Sequence, residues 1–195
     1  MKKLFFLPLA LLNCLLISSC STVATNPDSL TEQTLLQDRR TREAILIDKD
    51  IEIEAYSELN SDDTLLNQCH FTITAYNGAV LITGEVPNEA LGKKIIATVQ
   101  VIPNVKLIHD NLITARPSDA NSRANDQLIT DTVKTALSQI RTMPDFDPAM
   151  IKVITENGTV YLMGLVQRDE GTVVINVTKL QPGINQIVTV FEYID

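Results

Sequence analysis

A pattern written twice along one chain constrains the fold more than any single motif, because each copy must fold from its own residues. Here the run from Phe71 to Val86, Phe-Thr-Ile-Thr-Ala-Tyr-Asn-Gly-Ala-Val-Leu-Ile-Thr-Gly-Glu-Val, aligns with Ile151 to Val166, and Asn77-Gly78 falls on Asn157-Gly158 at an offset of 80. Upstream, Asp48, Ile51, Ala55 and Leu59 match Asp126, Ile129, Val133 and Leu137 at an offset of 78. Downstream, Pro103 and Val105 match Pro182 and Ile184 at 79. The small drifts place the length changes in loops.

An Asn-Gly pair between alternating apolar residues is a strong hairpin signal, because a type I′ turn needs positive φ at both central positions. A turn at Asn77-Gly78 pairs Ala75 with Val80, Ile73 with Ile82 and Phe71 with Gly84, which puts all six on one face. Asn157-Gly158 does the same for Thr155 with Val160, Val153 with Leu162 and Ile151 with Gly164. Before each hairpin, Ile51, Ala55 and Leu59, and then Ile129, Val133 and Leu137, recur at helical spacing and predict one apolar stripe. Leu91, Ile95, Ile96 and Val99 predict a second helix. Its counterpart, Gly171 to Thr178, is β-branched and reads as a strand by propensity, but the repeat makes it a helix. Final strands run from Val105 to Ile113 and from Ile184 to Ile194. The predicted fold is α+β: two tandem αββαβ modules, each a three-stranded sheet with two helices on one face, at 45–114 and 124–195 with a linker at 115–123.

The N-terminus sets the compartment. Lys2 and Lys3, an apolar run from Leu4 to Ile17 and then Ser18-Ser19-Cys20 describe a secretory signal over residues 1–19, too short and too interrupted by Pro8 and Asn13 to span a membrane well. Ile17-Ser18-Ser19-Cys20 resembles the bacterial lipobox, which makes Cys20 the lipidated new N-terminus; the plainer reading is a cleaved signal with an incidental Cys. Ser21 in place of Asp resembles the signal for transport to the outer membrane. Residues 20–44, rich in Thr, Ser, Gln and charges, read as the lipidated terminus and a tether. Cys14 leaves with the signal and Cys20 is acylated, so Cys69 has no partner for an intramolecular disulfide and is expected as a small buried hydrophobe.

Two modules of this layout, with the apolar-Asn-Gly-apolar hairpin closing on Gly84 or Gly164 and a later Pro-x-aliphatic turn, resemble BON domains, named for bacterial osmotically inducible and nodulation proteins. A lipobox followed by two of them resembles the dual BON-domain outer-membrane lipoproteins of Gram-negative bacteria. The resemblance covers roughly residues 38–195 and the anchor. It implies a non-enzymatic protein, lipid-anchored to the outer membrane and facing the periplasm, that binds anionic phospholipid and supports envelope integrity, in some members at the division site. No cofactor is implied.

The residues offer little chemistry of their own. His70 and His109 are the two histidines, and His70 adjoins Cys69 on a strand, where neighbours point to opposite faces and make a poor chelate or catalytic pair. Nucleophile elbow, phosphate-cradling glycine loop and zinc spacing are all missing from the sequence, and Asp145-Phe146-Asp147 reads as a solvated turn rather than a calcium loop. No metal ligand is assigned. With 16 Lys+Arg against 24 Asp+Glu, the net charge is −8, and removing residues 1–19 takes two lysines and no acid, leaving −10. That charge, with 5% aromatics and no Trp, speaks against nucleic acid as a partner.

Two surfaces remain. On a wheel through the second helix of module two, Val173, Val177 and Leu180 share the face expected on the sheet, while Arg168, Thr172, Ile175 and Lys179 lie opposite. An outward Ile between two long cations suits a phospholipid headgroup interface, and equally a plain exposed helix with one stray Ile. Leu128 stands where the resembling lipoproteins carry an apolar residue near the lipid-contacting helix. The other surface is the sheet face turned from the helices: Thr72, Thr74, Tyr76, Leu81 and Thr83 in module one, and Lys152, Ile154, Tyr161 and Met163 in module two. Either the modules cover each other there, or Ile154, Tyr161 and Met163 form a partner face for an outer-membrane or other envelope protein.

Overall fold

The computed structural model describes residues 38–143 and 145–194. Module one runs α1 (Arg42–Asn60), a short α2 (Asp63–Gln68), β1 (His70–Tyr76), β2 (Ala79–Val86), α3 (Glu89–Gln100) and β3 (Leu107–Thr114). Module two runs α4 (Ala120–Leu137), a 3₁₀ turn (Pro148–Met150), β4 (Ile151–Glu156), β5 (Thr159–Val166), α5 (Arg168–Lys179) and β6 (Gln186–Tyr193). Each sheet has its first hairpin strand at one edge and its last strand at the other, the hairpin antiparallel and the last pair parallel. The expected cross-strand partners are all found, from Ala75 with Val80 to Ile151 with Gly164. Both turns carry positive φ at Asn and at Gly, the geometry that set the register.

Each helix layer buries the predicted stripe. Ile51, Ala55 and Leu59 lie under module one with Ile73, Val80, Ile82, Ile95 and Val99. Ile129, Val133 and Leu137 lie under module two with Val153, Val160, Leu162 and Val174. The β-branched stretch after Arg168 is helical, as the repeat required: Gln167 and Glu170 form a capping box at its start, and Val174 points into the core. The phase differs from the wheel. Val174 and Thr178, with Gly171, take the buried side, Val173 and Val177 are half-buried, and Leu180, expected in the core, is the C-cap and 81% exposed. Gly171 explains the rotation, since its bare Cα lies against the rings of Phe191 and Tyr193.

Structure also extends into stretches read as connecting. Asp119 caps α4, whose first residue is Ala120, inside the segment read as linker. Asp62 caps α2 through the amides of Thr64 and Leu65, a helix the periodicity does not reveal because its only buried residue is Leu65. Residues 38–44, read as tether, form the start of the body.

Candidate functional site

Asp48 and Asp126 explain why an acid recurs about thirty residues before each Asn-Gly. Both are buried on the first helix of their module, and each carboxylate accepts the two amides of its turn: Asn77 at 2.7 Å and Gly78 at 2.8 Å, Asn157 and Gly158 at 2.8 Å each. Asp48 also receives the Arg40 guanidinium at 2.7 Å. Arg40 is held by Asp38 as well and stacks 3.8 Å from the centre of the Tyr76 ring.

The neighbouring Arg39 reaches the other module. Its guanidinium donates two bonds to Glu170 on α5, at 2.5 and 2.6 Å, and further bonds to the Leu165 and Asp145 carbonyls. The chain therefore enters the body pinned to the first turn of α5. In the sequence this pair leaves no trace beyond two arginines ending a polar stretch. Arg39 holds the Glu170 carboxyl below the usual carboxylate range. A lowered folded pKa contributes stability above the unfolded value, near 4.5, that is lost as pH falls through the folded value. Arg39→Ala is expected to cost about 1–3 kcal/mol at pH 7, and denaturant melts at pH 7 and pH 3 should show that gap shrinking in acid.

The open sheet faces meet each other. Tyr76, Leu81, Tyr161 and Met163 form one buried cluster, flanked by Ile154, Leu165, Val188 and Val190. The expectation that Ile154, Tyr161 and Met163 offer a partner face is thus corrected: Met163 and Tyr161 are buried and Ile154 half-buried against module one, since the closest apolar surface available to each sheet is the other sheet. Each buried side chain contributes about 1.5–3 kcal/mol, so the modules form one body. Tyr76 seals one end of the junction, its hydroxyl donating to the Met150 carbonyl at 3.0 Å and accepting the Leu165 amide at 3.2 Å. Burial pushes its phenol up to about 12, which keeps the hydroxyl neutral for both roles. Lys152 crosses the junction to Glu52 and the Ala75 carbonyl.

On the far side of module two, the residues expected at a lipid interface lie along α5 and beside it. Arg168, Thr172 and Lys179 are exposed and Ile175 half-buried, spaced along one ridge of the helix. Arg168 lies over the Tyr193 ring at 4.9 Å, at the start of the helix, and Lys179 is at its end. Leu128 is 66% exposed on α4, which packs against α5. Its neighbour Ile129 lies against Gly183 in the turn after α5, so the turn of α4 that carries Leu128 packs beside the C-terminal end of α5. Leu180 is an apolar residue of this surface that the wheel had assigned to the core. Cys20 lies outside the described residues. No helix among the described residues is long and apolar enough to cross a membrane.

The residues weighed for chemistry in the sequence take the following settings. Cys69 is half-buried, and burial raises its thiol pKa, which disfavours the reactive thiolate. His70 faces Glu156 of the other module, and that contact raises the imidazole pKa. Asp147 caps the 3₁₀ turn through the Ala149 amide, a structural role for the acid of the Asp145–Asp147 run.

Two such modules, each with a helix-anchored Asn-Gly hairpin, define the class. The chain belongs to the BON-domain family, whose model matches residues 47–117 and again 125–195. It is 24% identical over 158 residues to the outer membrane lipoprotein DolP of Haemophilus influenzae, covering 81% of this chain and 80% of that one. It is also 24% identical over 147 residues to a 21 kDa hemolysin of Actinobacillus pleuropneumoniae, covering 75% and 74%. Among solved structures it is similar to CdsD, a structural protein of the type III secretion system of Chlamydia trachomatis, at 14% identity and a TM-score of 0.31, covering 74% of this chain and 92% of that one.

Proposed function

We propose that this chain is a non-enzymatic outer-membrane lipoprotein, anchored through Cys20 and facing the periplasm, whose second module binds anionic phospholipid and so supports outer-membrane integrity. Leu128, Arg168, Thr172, Ile175 and Lys179 make the contact, with the cations near phosphate and Leu128 and Ile175 lower in the headgroup layer. The observation that carries this reading is the Arg39–Glu170 clamp: the segment leading from the anchor joins the body at the first turn of α5. Arg39 lies nineteen positions after Cys20, a reach of at most about 65 Å, so the anchor holds α5 at high local concentration near the lipid. That proximity offsets the net negative charge, against which two cations at about 1 kcal/mol each would bind weakly alone. The likeness to an outer membrane lipoprotein supports the location.

Vesicle flotation tests the contact. Arg168→Gln combined with Lys179→Gln removes about 2 kcal/mol, so affinity of residues 38–195 for phosphatidylglycerol vesicles should drop about thirtyfold with the fold unchanged by circular dichroism. Equal binding by wild type and double variant would overturn the assignment of these residues.

A further inference from the structure

The junction between the modules has two ends related by the sequence repeat, and they are chemically unequal. At one end Tyr76 meets Met150 and Leu165. The offset of 80 carries these three onto Glu156, His70 and Glu85, and those three meet at the other end. In the first end every polar atom of the Tyr76 bridge is satisfied. In the second, Glu156 is 7% exposed and its Oε1 accepts no hydrogen bond among the described residues, with the His70 Nε2 3.4 Å away. Glu85, 1% exposed, receives the Ser118 amide at 3.2 Å and the Asn157 side chain at 3.5 Å among the described residues.

Two carboxylates from different modules, buried this close together, repel each other and have lost their water. A positive charge between them answers both costs. One ligand atom from each of His70, Glu85 and Glu156 lies within 4.8 Å of the others, so rotations of about an ångström bring an imidazole nitrogen and two carboxylate oxygens to the 2.0–2.2 Å that zinc takes. The site also has access. Lys152 spans the first end to Glu52, but its repeat equivalent is Thr72, which is too short to cross. A cleft of about 270 Å³ opens there, lined by His70, Thr72, Thr130, Thr155 and Glu156 among others. Arg123 and Lys134 also line it, and the Arg123 charge, which acts against a protonated His70, likewise opposes a metal ion there.

We propose that His70 and Glu85 of module one and Glu156 of module two bind a divalent transition-metal ion at the junction, with water from the cleft completing its shell. An imidazole with two carboxylates and an open position suits zinc, and the same donors admit manganese or ferrous iron more weakly. Because its ligands come from both modules, the ion locks them together.

Calorimetric titration of the full chain, purified in detergent, with zinc chloride tests this. One zinc ion per chain is expected, bound at least tenfold more weakly by His70→Ala and by the near-isosteric Glu156→Gln, both of which should melt in chelator as cooperatively as wild type. Cys69→Ser should bind like wild type, and zinc should raise the melting temperature of wild type but not of Glu156→Gln. Equal affinity in wild type and Glu156→Gln, or loss of binding in Cys69→Ser, would overturn the site. Both outcomes are independent of lipid binding, which the flotation assay reads separately.

Discussion

Replacing Gly84 with alanine is expected to destabilise the fold severely, because the sheet of module one has no room for a side chain at that position. Gly84 lies within the central strand β2, opposite Phe71 on β1 and Leu112 on β3, with φ at +127°. A Cβ there would lie 2.1 Å from the His70 carbonyl oxygen and 2.8 Å from the Phe71 Cα. Those atoms are backbone of the paired strand, so no side chain can turn aside to make space. Either the hairpin opens or the strand shifts, and each route breaks the register that places Ile73, Val80 and Ile82 in the core. The loss should be about 3–5 kcal/mol or more, a large part of the 5–15 kcal/mol typical of a domain. Gly164 is a built-in comparison. Its Cβ would meet the end of the Ile151 side chain and the Met150 carbonyl, both at 2.8 Å, without a positive φ. Gly164→Ala should therefore cost about 1–3 kcal/mol, and urea unfolding of the two variants should separate them clearly.

The second large effect is expected at Asp48. Asp48→Ala removes the acceptor of two turn amides and leaves the buried Arg40 guanidinium with Asp38 as its remaining carboxylate. Orphaned buried donors cost about 1–3 kcal/mol each, and breaking a buried ion pair costs about 3–5 kcal/mol, so a total near 4–6 kcal/mol follows once overlap is allowed. Asp126→Ala removes the acceptor of the matching turn amides but strands no arginine, and should cost about half as much. Equilibrium unfolding that ranked the two variants equally would show that Arg40 adds nothing to the first turn.

The parts of this fold visible in the sequence were those set by local geometry. Asn77-Gly78 and Asn157-Gly158 fixed both hairpin registers because turn type and alternation demand the same pairing. The repeat carried the helix through Gly171–Thr178, where propensity points to a strand. What stayed hidden was set at long range. The phase of α5 follows from Glu170 turning toward Arg39, 131 residues earlier, and from Gly171 packing on Phe191, so a wheel drawn on the helix alone puts Val173 where Val174 sits. The alternation of Ile154, Tyr161 and Met163 announced an apolar face and left its cover open between the other module and an outside partner; Tyr76 and Leu81 of module one cover it. Of the proposed lipid surface, Arg168, Thr172, Ile175 and Lys179 could be placed by spacing; Leu180 could not, because its exposure depends on where the helix ends.

The central claim is that the outer ridge of module two reads anionic lipid. Backbone NMR of residues 38–195, titrated with micelles containing phosphatidylglycerol and separately with zwitterionic micelles, tests it most directly. The account predicts shifts confined to Leu128 and to Arg168–Leu180, seen only with the anionic lipid. Shifts spread evenly over both modules, or none with either micelle, would contradict it.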